Sequence, residues 1–280
     1  MQHTPALAVA FSVAISATPF ATAQLTSQQF YLLRGDGLLY NGRFGANISS
    51  LVGDAGLAPN PGSGNGLGGE LAFDRHGRLY GLGGTSTNAS DIRVAQINTA
   101  TAQSSTFFDL DAFNSTSITI DTDDRMYVYQ TQIPGGSSIL TLDTNTGQVL
   151  SQVAENADEF FTSWTIRSDG LLVGADLGDG SFHTIDPNTG VVEALGLGFG
   201  STINSFANYD GNSYFMSRQA DESLDIYSID LFSGEFLYEL TLTGEHQDGP
   251  GNIFGFAIIP APGSVLVMVT ASLGATRRRR

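Results

Sequence analysis

Short apolar segments separated by polar turns follow one another along the chain from about residue 28 to residue 260. One phrase consists of an apolar strand, a polar turn rich in Asp and Gly, and a second apolar strand. Asp and Gly tolerate the positive φ angles that tight hairpin turns require. The phrase occurs four times, in residues 71–80, 118–127, 164–173 and 206–215. The pattern therefore predicts four β-hairpins.

A second phrase follows each hairpin and consists of a strand, a turn and a closing strand. Each strand ends in Ile or Leu followed by a short polar side chain, namely Asn98, Asp143, Asp186 and Asp230. Such a side chain can accept a hydrogen bond from the backbone two residues further on. We interpret these residues as turn formers, although their spacing superficially resembles a metal-binding motif.

The two phrases together make a repeat. Phe73, Ile120, Ile166 and Ala207 are 47, 46 and 41 residues apart, and the polar turn residues are separated by 45, 43 and 44. One period therefore carries four short antiparallel strands, which is the size of one blade of a β-propeller. In this respect the chain resembles bacterial β-propellers over roughly residues 28–260.

Both ends of the repeat region complete the pattern. Residues 30–35, 38–44 and 48–52 resemble a blade that lacks its first strand, and residues 254–259 resemble an isolated first strand. Pairing them would hide strand edges that otherwise favour aggregation. We therefore predict an all-β fold, a five-bladed β-propeller of four-stranded antiparallel blades whose ring is closed by N- and C-terminal strands. A six-bladed ring and an incompletely closed array are the alternatives.

Composition and charge exclude several functions. The chain has 28 acidic and 12 basic residues, and all 12 basic residues are Arg. Without the four terminal arginines the balance is 8 minus 28, or −20. Nucleic-acid binding is excluded, because phosphate recognition needs clustered cations. The absence of Cys excludes disulfides, thiolate metal sites and Cys nucleophiles.

The N-terminus carries the pattern of an export signal. Residues 6–17 form a small apolar segment, and Ala21-Thr22-Ala23 matches the small-x-small pattern of a cleavage site. We predict a signal peptide over residues 1–23, with cleavage after Ala23 and a propeller body over residues 24–259. The alternative is a buried first strand or helix.

The C-terminus, residues 260–280, has three parts. Pro260-Ala261-Pro262 precedes an apolar segment, 264–276, and the chain ends in Arg277, Arg278, Arg279 and Arg280. This arrangement resembles the bacterial PEP-CTERM sorting signal, with Pro-Ala-Pro where that family has Pro-Glu-Pro. The resemblance implies an exosortase-type processing enzyme as partner, transient or permanent anchoring in the cytoplasmic membrane, and delivery to the cell surface or extracellular matrix. An ordinary membrane anchor is the alternative.

Acidic loops suggest a metal site. The predicted loops on one face of the ring contain many carboxylates, which suit hard cations such as Ca²⁺. We name as candidate ligands Asp109, Asp111, Asp158, Glu159 and Asp248. No loop has the Asp-x-Asp-x-Asp-Gly spacing of a dedicated calcium loop, so a solvated acidic face is the alternative.

Other motifs favour structural interpretations. Residues 64–69 match GxGxxG, but no βαβ unit surrounds them, so we interpret them as an inter-blade loop. His76, His183 and His246 fall in three separate elements, which argues against a zinc site or a catalytic triad. Trp164 is predicted to lie in the core, and an exposed platform for sugar stacking is the alternative.

These patterns favour a non-enzymatic function. We predict an exported propeller that acts as a binding or matrix module, with an extracellular polysaccharide or a surface protein as partner and no cofactor except possible Ca²⁺. The alternative is a polysaccharide hydrolase or lyase with two carboxylates about 5 to 9.5 Å apart. The predicted first strands, such as 71–73 and 118–120, contain no carboxylate, which favours binding over catalysis.

Overall fold

The computed structural model describes residues 28–57, 70–85, 88–110, 114–132, 136–155, 160–176, 180–200, 203–209, 211–221, 223–247 and 253–260. These ranges form β-strands and one 3₁₀ turn, Glu245–Gln247, with no α-helix. The strands are β1 Gln29–Arg34, β2 Leu38–Arg43, β3 Ile48–Asp54, β4 Leu71–Phe73, β5 Leu79–Thr85, β6 Asn88–Ile97, β7 Ser104–Asp109, β8 Asn114–Ile120, β9 Arg125–Gln132, β10 Gly136–Asp143, β11 Val149–Ala154, β12 Phe161–Ile166, β13 Leu172–Asp176, β14 Ser181–Ile185, β15 Val192–Gly198, β16 Ser205–Tyr209, β17 Asn212–Arg218, β18 Leu224–Ile229, β19 Phe236–Gly244 and β20 Ile253–Ile258. Within these ranges, no helix has the length and apolar character needed to cross a bilayer.

The strands form three four-stranded sheets and one eight-stranded sheet. The four-stranded sheets are β4–β7, β8–β11 and β12–β15, each with its strands in chain order. The eight-stranded sheet consists of two halves, β16–β19 and a closing half in the order β3-β2-β1-β20. In the strand ladder, two residue pairs join the halves, through a parallel contact between β19 and β3. The predicted repeat of four antiparallel strands is therefore present.

The first strand of each unit lies at the centre of the molecule. β4 contacts β8, β8 contacts β12, β12 contacts β16, β16 contacts β20, and β20 contacts β4, so these strands follow one another in a closed cycle. All six residues of β20 are buried, whereas β11 at the outer edge of its sheet is mostly exposed. We call these five strands the inner strands.

The core lies between the sheets. In the described part of the chain, five clusters of buried apolar side chains each join two neighbouring units. Phe30 and Met216, for example, pack between the closing half and β16–β19, and Tyr129 and Phe161 pack between the second and third sheets. Each sheet therefore buries both of its faces against neighbours, and apolar burial is the main favourable contribution to folding.

The predicted closure is confirmed. β1 pairs antiparallel with β20, with Phe30 opposite Ile258 and Tyr31 opposite Ala257. Two side-chain contacts reinforce the adjoining contact between β19 and β3. Glu245 accepts a hydrogen bond from Leu51 N at 2.7 Å, and Ser49 Oγ lies 2.6 Å from His246 Nδ1.

The predicted turn formers are also confirmed. The side-chain oxygens of Asn98, Asp143, Asp186 and Asp230 each accept a hydrogen bond from the backbone two residues later, at 2.7 to 2.9 Å. The residue four positions after each has a positive φ; it is Ala102 in the first copy and Gly in the other three. These four side chains therefore act within their own turns.

Two equivalences need correction. The backbone amides of Ile118, Trp164, Phe206 and Phe256 make corresponding contacts across the centre, so Phe256 and not Phe254 matches Leu71. Because Phe206 is equivalent to Leu71, the residue equivalent to Phe73 is Asn208 and not Ala207. The first error arose because the alternation of large residues looks the same after a shift of two positions along a short strand. The second is a shift of one position, which places the residue on the opposite face of the strand.

Candidate functional site

A carboxyl group lies at the centre of the ring. Glu70 immediately precedes β4, and only 1% of its surface is exposed. The corresponding positions on the next three inner strands are Ser117, Ser163 and Ser205, all of them buried. We call these four residues the axial ring.

Hydrogen bonds converge on Glu70 from three other units. Ser117 and Ser163 donate their hydroxyl protons to its two oxygens, and Ser205 Oγ lies 3.3 Å away. The backbone amides of Ile118 and Phe206 also donate to the carboxyl, at 2.9 and 3.3 Å. One side chain therefore ties together four of the inner strands.

Each of the three serines accepts a hydrogen bond from the backbone of the next inner strand around the ring. Ser117 Oγ accepts a hydrogen bond from Trp164 N at 2.9 Å, Ser163 Oγ accepts one from Phe206 N at 3.0 Å, and Ser205 Oγ accepts one from Phe256 N at 3.0 Å. Each axial side chain thus bonds the inner strand of the following unit. Because a Ser hydroxyl can both accept and donate, the serines connect the backbone of one strand to Glu70 on another.

The fifth equivalent position is Gly255 on β20. A Cβ placed there would lie 2.8 Å from Leu71 Cγ and 3.2 Å from Leu71 N. A side chain at this position would collide with the neighbouring inner strand, so the close approach of β20 to β4 requires glycine.

Burial dominates the protonation of Glu70. Desolvation raises the pKa of this carboxyl from its ordinary 4.5 to about 8, against the opposing hydrogen bonds from Ser117, Ser163, Phe206 and Ile118. Loss of water disfavours the charged form, and donated hydrogen bonds favour it. Since serine hydroxyls can reverse direction, the axial ring can satisfy both the protonated and the ionised carboxyl.

A small cavity of about 50 Å³ lies beside the axial ring along the inner strands. Its lining is apolar apart from Thr119, Thr165 and Asn208, and it includes Pro260 but not Glu70. Thr165 and Ser213 both donate to Asn208 Oδ1, at 2.8 and 2.7 Å. The volume suits a few water molecules, at roughly 10–15 Å³ for each. With no ionisable group in its lining, the cavity offers neither an acid nor a base.

The predicted metal and sorting residues lie largely outside the described ranges. Asp111, Asp158, Glu159, Asp248, Pro262 and Arg277 to Arg280 fall there, as do the signal-peptide residues 1–23 and the whole GxGxxG motif, residues 64–69. Asp109 is exposed at the end of β7. The residues that the structure describes contain no group of three or more possible metal ligands. The calcium site and the sorting signal stay predictions.

The other acidic side chains on the predicted rim have separate partners. Asp54 accepts from Gly56 N at 2.7 Å, Glu155 accepts from the Tyr129 hydroxyl at 2.7 Å, and Asp221 accepts from the Ser223 hydroxyl at 2.6 Å. Asp54 and Asp221 therefore bond within their own loops, whereas Glu155 bonds a tyrosine of β9. They do not converge on a common point.

The histidines and the tryptophan lie where the sequence predicts. His76 is in the first hairpin turn, His183 is in β14 and His246 is in the 3₁₀ turn, so the three belong to different elements. Trp164 is 1% exposed and packs in the core with Tyr129 at a ring-centroid distance of 5.1 Å. The alternative role of Trp164 as a sugar-stacking platform is therefore wrong.

Sequence reasoning missed Glu70. It began the first inner strand at Leu71 and assigned the residues before it to a glycine-rich loop, so it found no carboxylate at the centre. A signal was present: the residue before each matched strand is Ser in three copies and Glu in one. A single charged residue in a column of small polar ones at an inner-strand position indicates an axial role.

Comparisons with known proteins identify the fold. No family model matches the chain, and no curated protein matches it. TolB from Acinetobacter baumannii has a TM-score of 0.51 and 13% identity, with 85% of this chain and 67% of that chain covered. A Bacteroides thetaiotaomicron protein of unknown function has a TM-score of 0.53 and 14% identity, with 85% of this chain and 65% of that chain covered. A protein of unknown function from Bacteroides caccae has a TM-score of 0.50 and 12% identity, with 83% of this chain and 99% of that chain covered. The fold is all-β and similar to that of β-propeller-type proteins.

Proposed function

We propose that the protein is an exported, five-bladed β-propeller that serves as a non-enzymatic binding or scaffold module at the cell surface or in the extracellular matrix. The cycle of five inner strands supports the blade count, with the closing half as the fifth blade. The signal-peptide pattern and the tripartite C-terminal end support export and sorting by an exosortase-type enzyme.

The observation that carries the non-enzymatic part of the proposal is the hydrogen bonding of Glu70. Its carboxyl receives donors from three other inner strands and has almost no exposed surface. A catalytic carboxyl must reach a substrate within hydrogen-bonding distance. Glu70 instead supports a role in holding the blades together, which suits a rigid scaffold.

One observation favours the competing enzyme hypothesis. A carboxyl with a pKa of about 8 holds its proton near neutral pH, as a general acid must. A hydrolase or lyase would also need a second group, and a movement of the axial serines that lets a polysaccharide reach Glu70. We therefore keep this function as the second candidate.

A cleavage assay separates the two functions. The full chain, purified in a detergent without a sugar headgroup, is incubated with neutral and anionic polysaccharides, and new reducing ends and unsaturated products are measured. A scaffold produces neither. If cleavage occurs and is lost in a folded Glu70→Gln variant, the enzyme hypothesis is correct.

Fractionation tests the proposed location. In a bacterium that contains an exosortase-type enzyme, we expect a shortened chain at the surface or in the medium. Replacing the four terminal arginines with alanine should leave the chain unprocessed. Recovery of the unshortened wild-type chain from the cytosol would contradict the proposed export.

A further inference from the structure

The outer part of the β16–β19 half carries exposed aromatic rings. Tyr238 and Phe236 on β19 are 51% and 38% exposed, and Tyr227 on β18 lies opposite Tyr238 in the sheet. The Tyr227 ring centroid is 5.7 Å from that of Tyr238 and 6.0 Å from that of Phe236. We call Tyr227, Phe236 and Tyr238 the aromatic platform.

The buried Phe215 and the half-buried Phe199 support the aromatic platform from the side of the core. Phe215 stacks on Tyr227 with a centroid distance of 4.9 Å and an interplanar angle of 10°. Phe199 packs against both Tyr227 and Phe236, at 4.9 and 5.2 Å. Because these contacts restrict the rings before any partner arrives, binding would lose little side-chain entropy.

Polar groups lie directly beside the exposed Tyr238 ring. Thr241 donates to Asp225 Oδ1 at 2.5 Å, and the Tyr238 hydroxyl lies 2.9 Å from Thr241 Oγ1. Thr241 has a single hydroxyl proton, so Tyr238 is the donor in the second bond. This chain of hydrogen bonds fixes the direction of the ring and places hydroxyl and carboxylate oxygens at its edge.

A sugar ring matches this combination of groups. A pyranose presents a flat face of C–H groups, which packs on an aromatic face, and a rim of hydroxyls, which hydrogen-bond to carboxylate and hydroxyl oxygens. The flanking Glu235 and Glu239 and the charge of −20 outside the terminal arginines repel a polyanion. The charges therefore favour an uncharged glycan over an acidic one.

We propose that the aromatic platform of Tyr227, Phe236 and Tyr238, with Asp225 and Thr241 at its edge, binds a neutral polysaccharide. This inference rests on the binding role proposed above, and it assigns that role a site and a class of partner.

Affinity electrophoresis tests the site. The full chain is run through native gels that contain dextran, galactomannan or hydroxyethylcellulose, with alginate as the anionic comparison. We expect at least one neutral polymer to retard the wild type and alginate to have no effect. Tyr238→Ala should weaken the retarding interaction about tenfold, equivalent to about 1.4 kcal/mol.

Two further variants separate stacking from other causes. Tyr238→Phe keeps the ring and should stay within about threefold of the wild type, which guards against loss of binding through unfolding of the alanine variant. Leu237→Ala removes a 55% exposed apolar side chain from the next position of the same strand and should leave binding unchanged. Equal losses in Leu237→Ala and Tyr238→Ala would overturn the proposal, because the surface would then be a general apolar contact.

The other results of the gel experiment also test the proposal. Retardation that Tyr238→Ala does not change overturns the site but leaves the binding role intact. A wild type that no neutral polymer retards overturns the inference, and a surface protein is then the partner class left to the proposed function. Cleavage of a polymer in the gel overturns the proposed function itself, whether or not Tyr238 contributes.

Discussion

Glutamine in place of Glu70 is expected to remove a pH dependence from the stability of the protein. The folded state raises the pKa of this carboxyl to about 8 from 4.5, so between these values the folded chain holds a proton that the unfolded chain has lost. The free energy of unfolding therefore falls as pH rises, by about 1.4 kcal/mol per pH unit.

The size of the effect follows from the same two values. Over the span of about 3.5 pH units the loss is about 5 kcal/mol, and by pH 7 it is about 3 kcal/mol. Glutamine has nearly the same size, can bond the axial serines and stays neutral throughout. The variant should match the wild type near pH 5 and exceed it increasingly toward pH 8.

Urea unfolding at several pH values, followed by the fluorescence of the single buried Trp164, measures this difference. Glu235→Gln is the matched control, because Glu235 is an exposed carboxylate far from the axis. Its pH profile should match that of the wild type. Equal slopes for the wild type and Glu70→Gln between pH 5 and 8 would refute the assignment of a buried, proton-holding carboxyl.

Three other substitutions test the ring and its closure. Ser163→Ala removes one donor to the Glu70 carboxyl and one acceptor of the Phe206 amide, and should destabilise the fold by about 1–3 kcal/mol in urea unfolding at pH 7. Gly255→Ser, which introduces the residue type found at this position in three other units, should cost about 1–3 kcal/mol through collision with Leu71, and an unchanged melting temperature would contradict this. Arg34→Met removes a buried guanidinium that pairs across the turn after β1, and limited proteolysis should then cut near the N-terminal strands sooner than in the wild type.

Local patterns predicted much of this fold because each repeat contains the turn and strand signals of its own four strands. The Asp and Gly turn residues and the apolar strands between them indicated the strand order, and the incomplete ends predicted the pairing of the terminal strands, in which Tyr31 lies opposite Ala257. The sequence pattern could not show which residue of β20 is equivalent to Leu71, since Phe254 and Phe256 both fit the alternation of large side chains. The hydrogen bond from Phe256 N to Ser205 Oγ distinguishes them.

The candidate site was less predictable because it forms from single residues on four separate strands. Glu70 and Ser205 are 135 positions apart in the chain and meet only at the centre of the ring. Nothing in the neighbourhood of Glu70, a loop rich in glycine, indicates burial. The aromatic platform was missed for a similar reason: Tyr227 and Tyr238 look like ordinary strand residues until the outer position of β19 exposes them.

The pairing of Phe30 with Ile258 joins residues 228 positions apart. A contact over so long a stretch forms late, because the entropy of bringing distant parts of a chain together opposes it. Residue 258 must therefore be synthesised before the first strand finds its partner. Until then the edge of the first strand is exposed to proteases and to pairing with other strands, so folding is expected to benefit from a chaperone that covers this edge.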